Sequence, residues 1–283
     1  MLHCPTARSV AMAGLTLLAA MTPDLARAQG KLEAAYTISL ARIPIGAVTT
    51  TADIADGRYT ITTSGRASGL MRILASGDGT LTTSGELHDG RPMPSEFTAR
   101  TTTDDDTLDV KLVFDGGNVT SLTASAPPPS PDRIALTETH RQGVIDPLTA
   151  LLIPAATSGE PLSKAACERT LPVFDGRRRF DLKLSFKKMD KVKADKGYAG
   201  PVVVCAIAFQ PIAGYRRSSA MVKYLSDGRD IEMALAPVAG TSVLAPFRLS
   251  ISNMLGNLVV QANRFEVIAP SSARAGVTTG QAQ

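Results

Sequence analysis

The chain has 283 residues, a formal net charge of +4, 44% apolar residues, 5% aromatics and no Trp. It is long enough to bury a sizeable core, and with no nucleic-acid-binding motif and an export signal it is a poor candidate for nucleic-acid binding. The core must rest on Val, Ile, Leu, Ala and Met, small side chains that fill a wide interior poorly and so leave room for a cavity.

Residues 1–28 read as a secretory signal. Arg8 supplies early positive charge, residues 10–21 run apolar, Pro23 breaks the run, and Ala26-Arg27-Ala28 offers small residues to a signal peptidase. The cut is expected between Ala28 and Gln29. About a dozen apolar residues fall short of the ~20 that a membrane-spanning helix needs. Cys4 precedes the run, which argues against a lipoprotein, and no later segment is long and apolar enough to span a bilayer. The expected location is the periplasm.

Residues 29–269 then show short alternating segments. Tyr36, Ile38 and Leu40 share one parity, as do Tyr59 and Ile61, and Leu108, Val110, Leu112 and Phe114. Leu182, Leu184 and Phe186 repeat the pattern, as do Leu249 and Ile251, then Leu258 and Val260. Period two puts each set on one face of a strand. Asp-Gly pairs at 56–57, 78–79, 89–90, 115–116, 175–176 and 227–228 predict tight turns between adjacent antiparallel strands. Two places break the pattern. Residues 67–74 predict a short helix. Asp146-Pro147-Leu148-Thr149-Ala150 predicts a helix start, with Asp146 as cap and Pro147 in the first turn. The proline-rich stretch 126–131 before it is an extended linker. The linker divides the strands into two sets, read as halves of one domain because each alone leaves an apolar face bare. Residues 270–283 lose all periodicity and read as a disordered tail.

Cys167 and Cys205 are expected to pair in an oxidising compartment; two separate buried thiols are the rival. The cross-link would contribute roughly 3–4 kcal/mol by loop entropy. Charge is uneven. Residues 29–142 carry 10 basic and 14 acidic side chains, and residues 143–283 carry 18 and 11. The basic half suits anionic partners such as lipid headgroups or cell-wall carboxylates, or simply guards a strand edge. Within it, Arg177, Arg178 and Arg179 form a candidate anionic-ligand surface on a hairpin flanked by Phe174 and Phe180.

No catalytic signature stands out. His88 lies at a predicted hairpin tip and His140 precedes the linker helix; either would need a serine and a carboxylate beside it. Asp104-Asp105-Asp106 lacks the spacing and glycine of a calcium loop. No cofactor or metal site is indicated.

Five segments carry a resemblance. They are Ile43-Pro44-Ile45-Gly46, Ser68-Gly69-Leu70-Met71-Arg72, Asp146-Pro147-Leu148-Thr149-Ala150, Phe174-Asp175-Gly176-Arg177-Arg178 and Tyr224-Leu225-Ser226-Asp227. In this order the chain resembles the bacterial family grouped as domain of unknown function 3108 (DUF3108). The resemblance implies an exported β-rich protein with no established activity, and it hands over no catalytic residue. By fold-level analogy it is similar to periplasmic barrels that shield lipidated ligands or support the envelope.

The expected fold is all-β: a single curved antiparallel sheet or closed β-barrel of roughly 11–14 strands with one or two short helices. The expected function is a non-enzymatic periplasmic envelope protein that binds a lipid or amphipathic ligand, or a partner protein, with no nucleic-acid partner. A hydrolase acting on cell-wall or lipid material through His140 or His88 is one alternative. A scaffolding module that uses its basic half is the other.

Overall fold

The computed structural model describes residues 29–67, 77–103, 107–125, 129–155, 160–228, 230–253 and 256–268. Residues 1–28, read above as a signal, most of the helix predicted at 67–74, the aspartate triplet at 104–106, part of the proline-rich stretch and the expected tail lie outside these residues.

The first half is a meander. Strands β1 (Gly30–Leu40), β2 (Ile43–Ala55), β3 (Arg58–Ala67), β4 (Gly77–His88), β5 (Arg91–Thr103), β6 (Thr107–Asp115) and β7 (Asn118–Ala124) pair antiparallel in chain order. The second half holds β8 (Ile153–Pro154), β9 (Arg169–Phe174), β10 (Arg179–Lys193), β11 (Lys196–Gly197), β12 (Ala199–Ala213), helix α1 (Ala220–Ser226), β13 (Ile231–Pro237), β14 (Val243–Asn253) and β15 (Gly256–Ile268). All belong to one 15-stranded sheet, because the first strand β1 pairs with the last, β15. Two of the fifteen, β8 and β11, are two-residue pieces.

The fold is all-β, and the sheet is curved and open. The edge strands β7 and β9 do not pair with each other. Their ends are bridged by the connecting segment. The Val144 amide donates to Gly117 O (2.8 Å), Ile145 N to Pro172 O (2.9 Å), and Phe174 N to Ile145 O (2.9 Å). The β9–β10 turn also packs across the gap. A Cβ on Gly176 would stand 2.5 Å from Val110 Cγ1, and its φ is +90°, so only glycine fits there.

Turn chemistry follows the sequence in places. Asp56-Gly57 and Asp89-Gly90 have positive φ at both residues, the primed turn that matches strand twist. Asp78-Gly79 makes no turn. It lies inside β4, where Gly79 pairs with Gly65 and Thr101 in extended backbone. Asp227-Gly228 closes α1 rather than a hairpin, with Gly228 in the left-handed conformation. The predicted linker helix shrinks to one 3-10 turn, Thr149–Leu151.

Two apolar clusters form. The larger gathers Leu32, Ile54, Tyr59, Phe97 and Leu112 from the first half with Phe174, Phe247 and Phe265 from the second. The smaller surrounds the cysteines, with Leu171, Leu184, Ile207 and Met233. Val202 and Val204 join the larger cluster, while Val203 and Cys205 join the smaller, so β12 is buried on both faces. The segment around residue 150 straddles both: Leu148 and Leu152 enter the first cluster, Ala150 and Ile153 the second.

Candidate functional site

Residues directly opposite on neighbouring strands share a face, so register maps the inner wall row by row. The row Leu32, Ala52, Ile61, Thr83, Phe97, Leu112 is buried throughout. One step along the strands come Ala34, Thr50, Thr63, Leu81 and Ala99, and then Tyr36, Val48, Gly65, Gly79 and Thr101. On β3, β4 and β5 the last of these rows is smaller than the first, with Gly65, Gly79 and Thr101 in place of Ile61, Thr83 and Phe97, and most of the later positions are only half-buried. Small residues leave space where large ones would have met.

That space is a cleft of about 130 Å3. Leu32, Tyr36, Val48, Ala52 and Ile61 line it from β1–β3; Ala245, Pro246, Leu249 and Val260 line it from β14 and β15; Leu151 and Leu152 cover it. Its wall is apolar, and its few polar atoms already have partners. Tyr36 Oη donates to Pro246 O (2.8 Å), and the hydroxyls of Thr50 and Thr63 bond each other at 3.0 Å. Burial pushes the Tyr36 hydroxyl far above its ordinary pKa, so it stays neutral. Nothing in this wall solicits a charge or a polar headgroup. An apolar strip leads outward from it. Ile38, Val260, Leu249 and Met233 are opposite one another in turn, and Leu40, Leu258, Ile251 and Ile231 form the next row.

The covering turn is held by a buried polar knot. Asp146 Oδ1 accepts from the amides of Leu148 and Thr149, both at 2.9 Å. Its Oδ2 accepts from the hydroxyls of Thr149 and of Thr83 on β4 (2.9 Å). Tyr59 Oη reaches Thr149 Oγ1 at 2.8 Å. Asp146 therefore caps its turn as the sequence indicates, and it also ties that turn to the sheet. The tie was not legible locally: Thr83 is one of many strand threonines, and only register points it inward.

Cys167 and Cys205 form a disulfide, with Cα atoms 5.3 Å apart and both residues fully buried. It fastens the loop before β9 to the middle of β12. The arginine triplet is partly engaged within the chain. Asp175 Oδ1 accepts from the Arg177 and Arg178 amides (2.8 and 2.6 Å). The Arg178 guanidinium lies 5.7 Å from the centre of the Tyr215 ring, and Arg179 Nη1 donates to Asp181 at 2.6 Å. Acids and a ring nearby in sequence or space thus occupy two of the three side chains.

His88 is exposed and bonds Glu86 at 2.9 Å, while His140 Nδ1 accepts from the Thr137 amide and closes its own 3-10 turn. Among the described residues neither histidine sits with a serine and a carboxylate in a cleft, and no group of three or more His, Cys, Asp or Glu side chains is placed to hold a metal. Gln29 is the first described residue; Ala28 lies outside them.

Fold and cleft together define an all-β protein whose open, curved sheet wraps an apolar interior. Among solved structures, the crystal structure of a beta-barrel-like protein of domain of unknown function DUF1849 from Brucella abortus matches with a TM-score of 0.50 and 13% identity, over 86% of this chain and 100% of that one. At that identity the likeness is one of fold. The family described as Protein of unknown function (DUF3108) matches residues 35–263, and the chain belongs to it. A search of curated proteins finds no match.

Proposed function

We propose that the protein is exported to the periplasm and acts there without catalysis, sheltering the apolar arm of an amphipathic envelope molecule. One observation carries this reading: a cleft with an apolar wall whose polar atoms are already satisfied, continued by an apolar strip toward the end of the sheet. Such a surface gains from each methylene it removes from water, about 0.8 kcal/mol apiece, and gives nothing to a charged group. Size narrows the ligand. An engineered apolar cavity of about 150 Å3 takes up benzene, whereas whole-ligand pockets run to several hundred Å3. The cleft therefore suits the end of one acyl chain, with the remainder lying along the strip formed by Ile38, Leu40, Leu258 and Ile251. The secretory pattern and the disulfide support export.

Val48 is half-buried at the cleft wall, so a larger ring there fills the space without overpacking the core. Calorimetric titration of the purified protein with laurate is expected to show binding that Val48→Phe weakens at least tenfold, with the fold unchanged by circular dichroism. Native mass spectrometry of detergent-free periplasmic protein is expected to show a retained lipid. Absence of both laurate binding and retained lipid removes the proposal.

A further inference from the structure

Strand β10 leaves the shelter of β9 halfway along. Its pairing with β9 ends at Leu184, while its pairing with β12 continues to Lys193. Residues 185–193 therefore have no strand partner on that side, although the turn Lys164–Ala166 packs against β10 where β9 begins. A bulge at Lys187 shifts the alternation there: Phe186 is opposite Cys205 and Met189 opposite Val203, so these two side chains, three apart in sequence, share one face. Both are exposed, Phe186 at 41% and Met189 at 46%. Lys191 and Lys193, opposite Pro201 and Ala199, continue on the same face and have no ion-pair partner among the described residues. Lys187 and Lys188 flank them, each held by a carboxylate: Lys187 by Glu232 at 2.5 Å, Lys188 by Asp190 at 2.9 Å.

Edge guarding accounts for lysines on an open strand. It does not account for a phenylalanine and a methionine held out to solvent beside them. We infer that this edge is a docking surface for an anionic phospholipid membrane, with Phe186 and Met189 entering the headgroup–acyl boundary and the lysines meeting phosphates. The charge selects this occupant. A second copy of the chain would bring lysine rows face to face, and the bulge spoils the edge for strand pairing. Phe186 ends the row that runs through Cys205 and Met233 to Leu249 on the cleft wall, three strands away, and the proposed docking does not depend on what the cleft holds.

The test is co-sedimentation of the exported, purified protein with vesicles. Binding is expected to phosphatidylcholine vesicles that include phosphatidylglycerol, to fall as salt is raised, and to be absent on phosphatidylcholine alone. Lysine contacts of this kind carry about fivefold each, so Lys191→Glu with Lys193→Glu should weaken binding at least tenfold. Phe186→Ser with Met189→Ser should weaken it while leaving the salt dependence. All four positions are exposed, and unchanged thermal melting confirms that each variant is folded. Val48→Phe should bind vesicles as the parent does, which keeps this result separate from the cleft. No binding by the parent, or parental binding by either double variant, overturns the inference; so does salt-sensitive capture by an acidic protein with none by anionic vesicles.

Discussion

Asp146 ties the covering turn to the sheet through four hydrogen bonds. Each of its four hydrogen-bond donors is a neutral amide or hydroxyl, and it is fully buried. Burial dominates and raises its pKa, while the bonds from Thr149, Thr83 and Leu148 oppose the rise. Ionising it therefore costs more in the folded chain than in the unfolded one. Its contribution to stability is full below the ordinary carboxyl range, near pH 4, and declines as pH rises through the folded value. The knot tolerates both states: when ionised, Thr149 and Thr83 donate to it; when protonated, the carboxyl O–H can donate to Thr149 Oγ1 and Thr83 can turn to Glu96 O, 3.1 Å away. Asn keeps the capping oxygen and has no charge. Asp146→Asn should then lose less stability than the parent between acid and neutral pH, measured as the difference between their urea-unfolding curves. Asp146→Ala, which strands two amides and two hydroxyls, should cost about 3 kcal/mol. Parallel pH curves for the parent and the Asn variant would show that the carboxyl does not titrate in the folded range.

Among the elements, the β1–β2 turn departs from its neighbours. Asp56-Gly57 and Asp89-Gly90 take positive φ with residues suited to it; Ala41 and Arg42 take it too, at 48° and 71°, without that help. Left-handed backbone costs an ordinary residue about 1–2 kcal/mol. Replacing Ala41-Arg42 with Asn-Gly should therefore stabilise the protein by about 2 kcal/mol, read as a higher urea midpoint with an unchanged slope. A lower midpoint would mean that the Arg42 side chain contributes more than the turn strain. The same turn shows how far the sequence could be read. Alternation located β1, β3, β6, β10, β14 and β15, because period two is a local signal. Asp-Gly marked hairpin turns elsewhere but not at Asp78-Gly79, where pairing with Gly65 and Thr101 overrides it, nor at Asp227-Gly228, which ends a helix. The helix Ala220–Ser226 went unseen because it is short and buries no residue, although Ser219 capping Val222 and Gly228 beyond its end are the marks of one. Composition left room for a cavity, but the cleft's place could not be read. It exists where Val48, Leu151 and Val260 meet, and that meeting is set by register, by the bulge at Ala35–Tyr36 and by the pairing of the first strand with the last.

At the scale of the molecule, that last pairing makes one sheet from two strand sets, and the gap on the far side is bridged by residues 144–145 and by the Gly176 turn. The larger apolar cluster draws on both sets, so neither can lose its partner without baring buried surface. The disulfide sits inside the second set and closes a loop spanning 38 residues. Loop entropy assigns it roughly 3–4 kcal/mol. In a chain that melts as one unit, that loss is shared by the whole structure: Cys167→Ser with Cys205→Ser should lower the single calorimetric transition by about 10 °C and should not split it. Coupling would also carry the loss to the cleft, so the double variant should release bound laurate at the same lowered temperature. A first transition confined to the second strand set, with residues 30–124 still folded, would instead mean that the β1–β15 ladder joins two independent units and that the cleft between them is a contact surface rather than an interior.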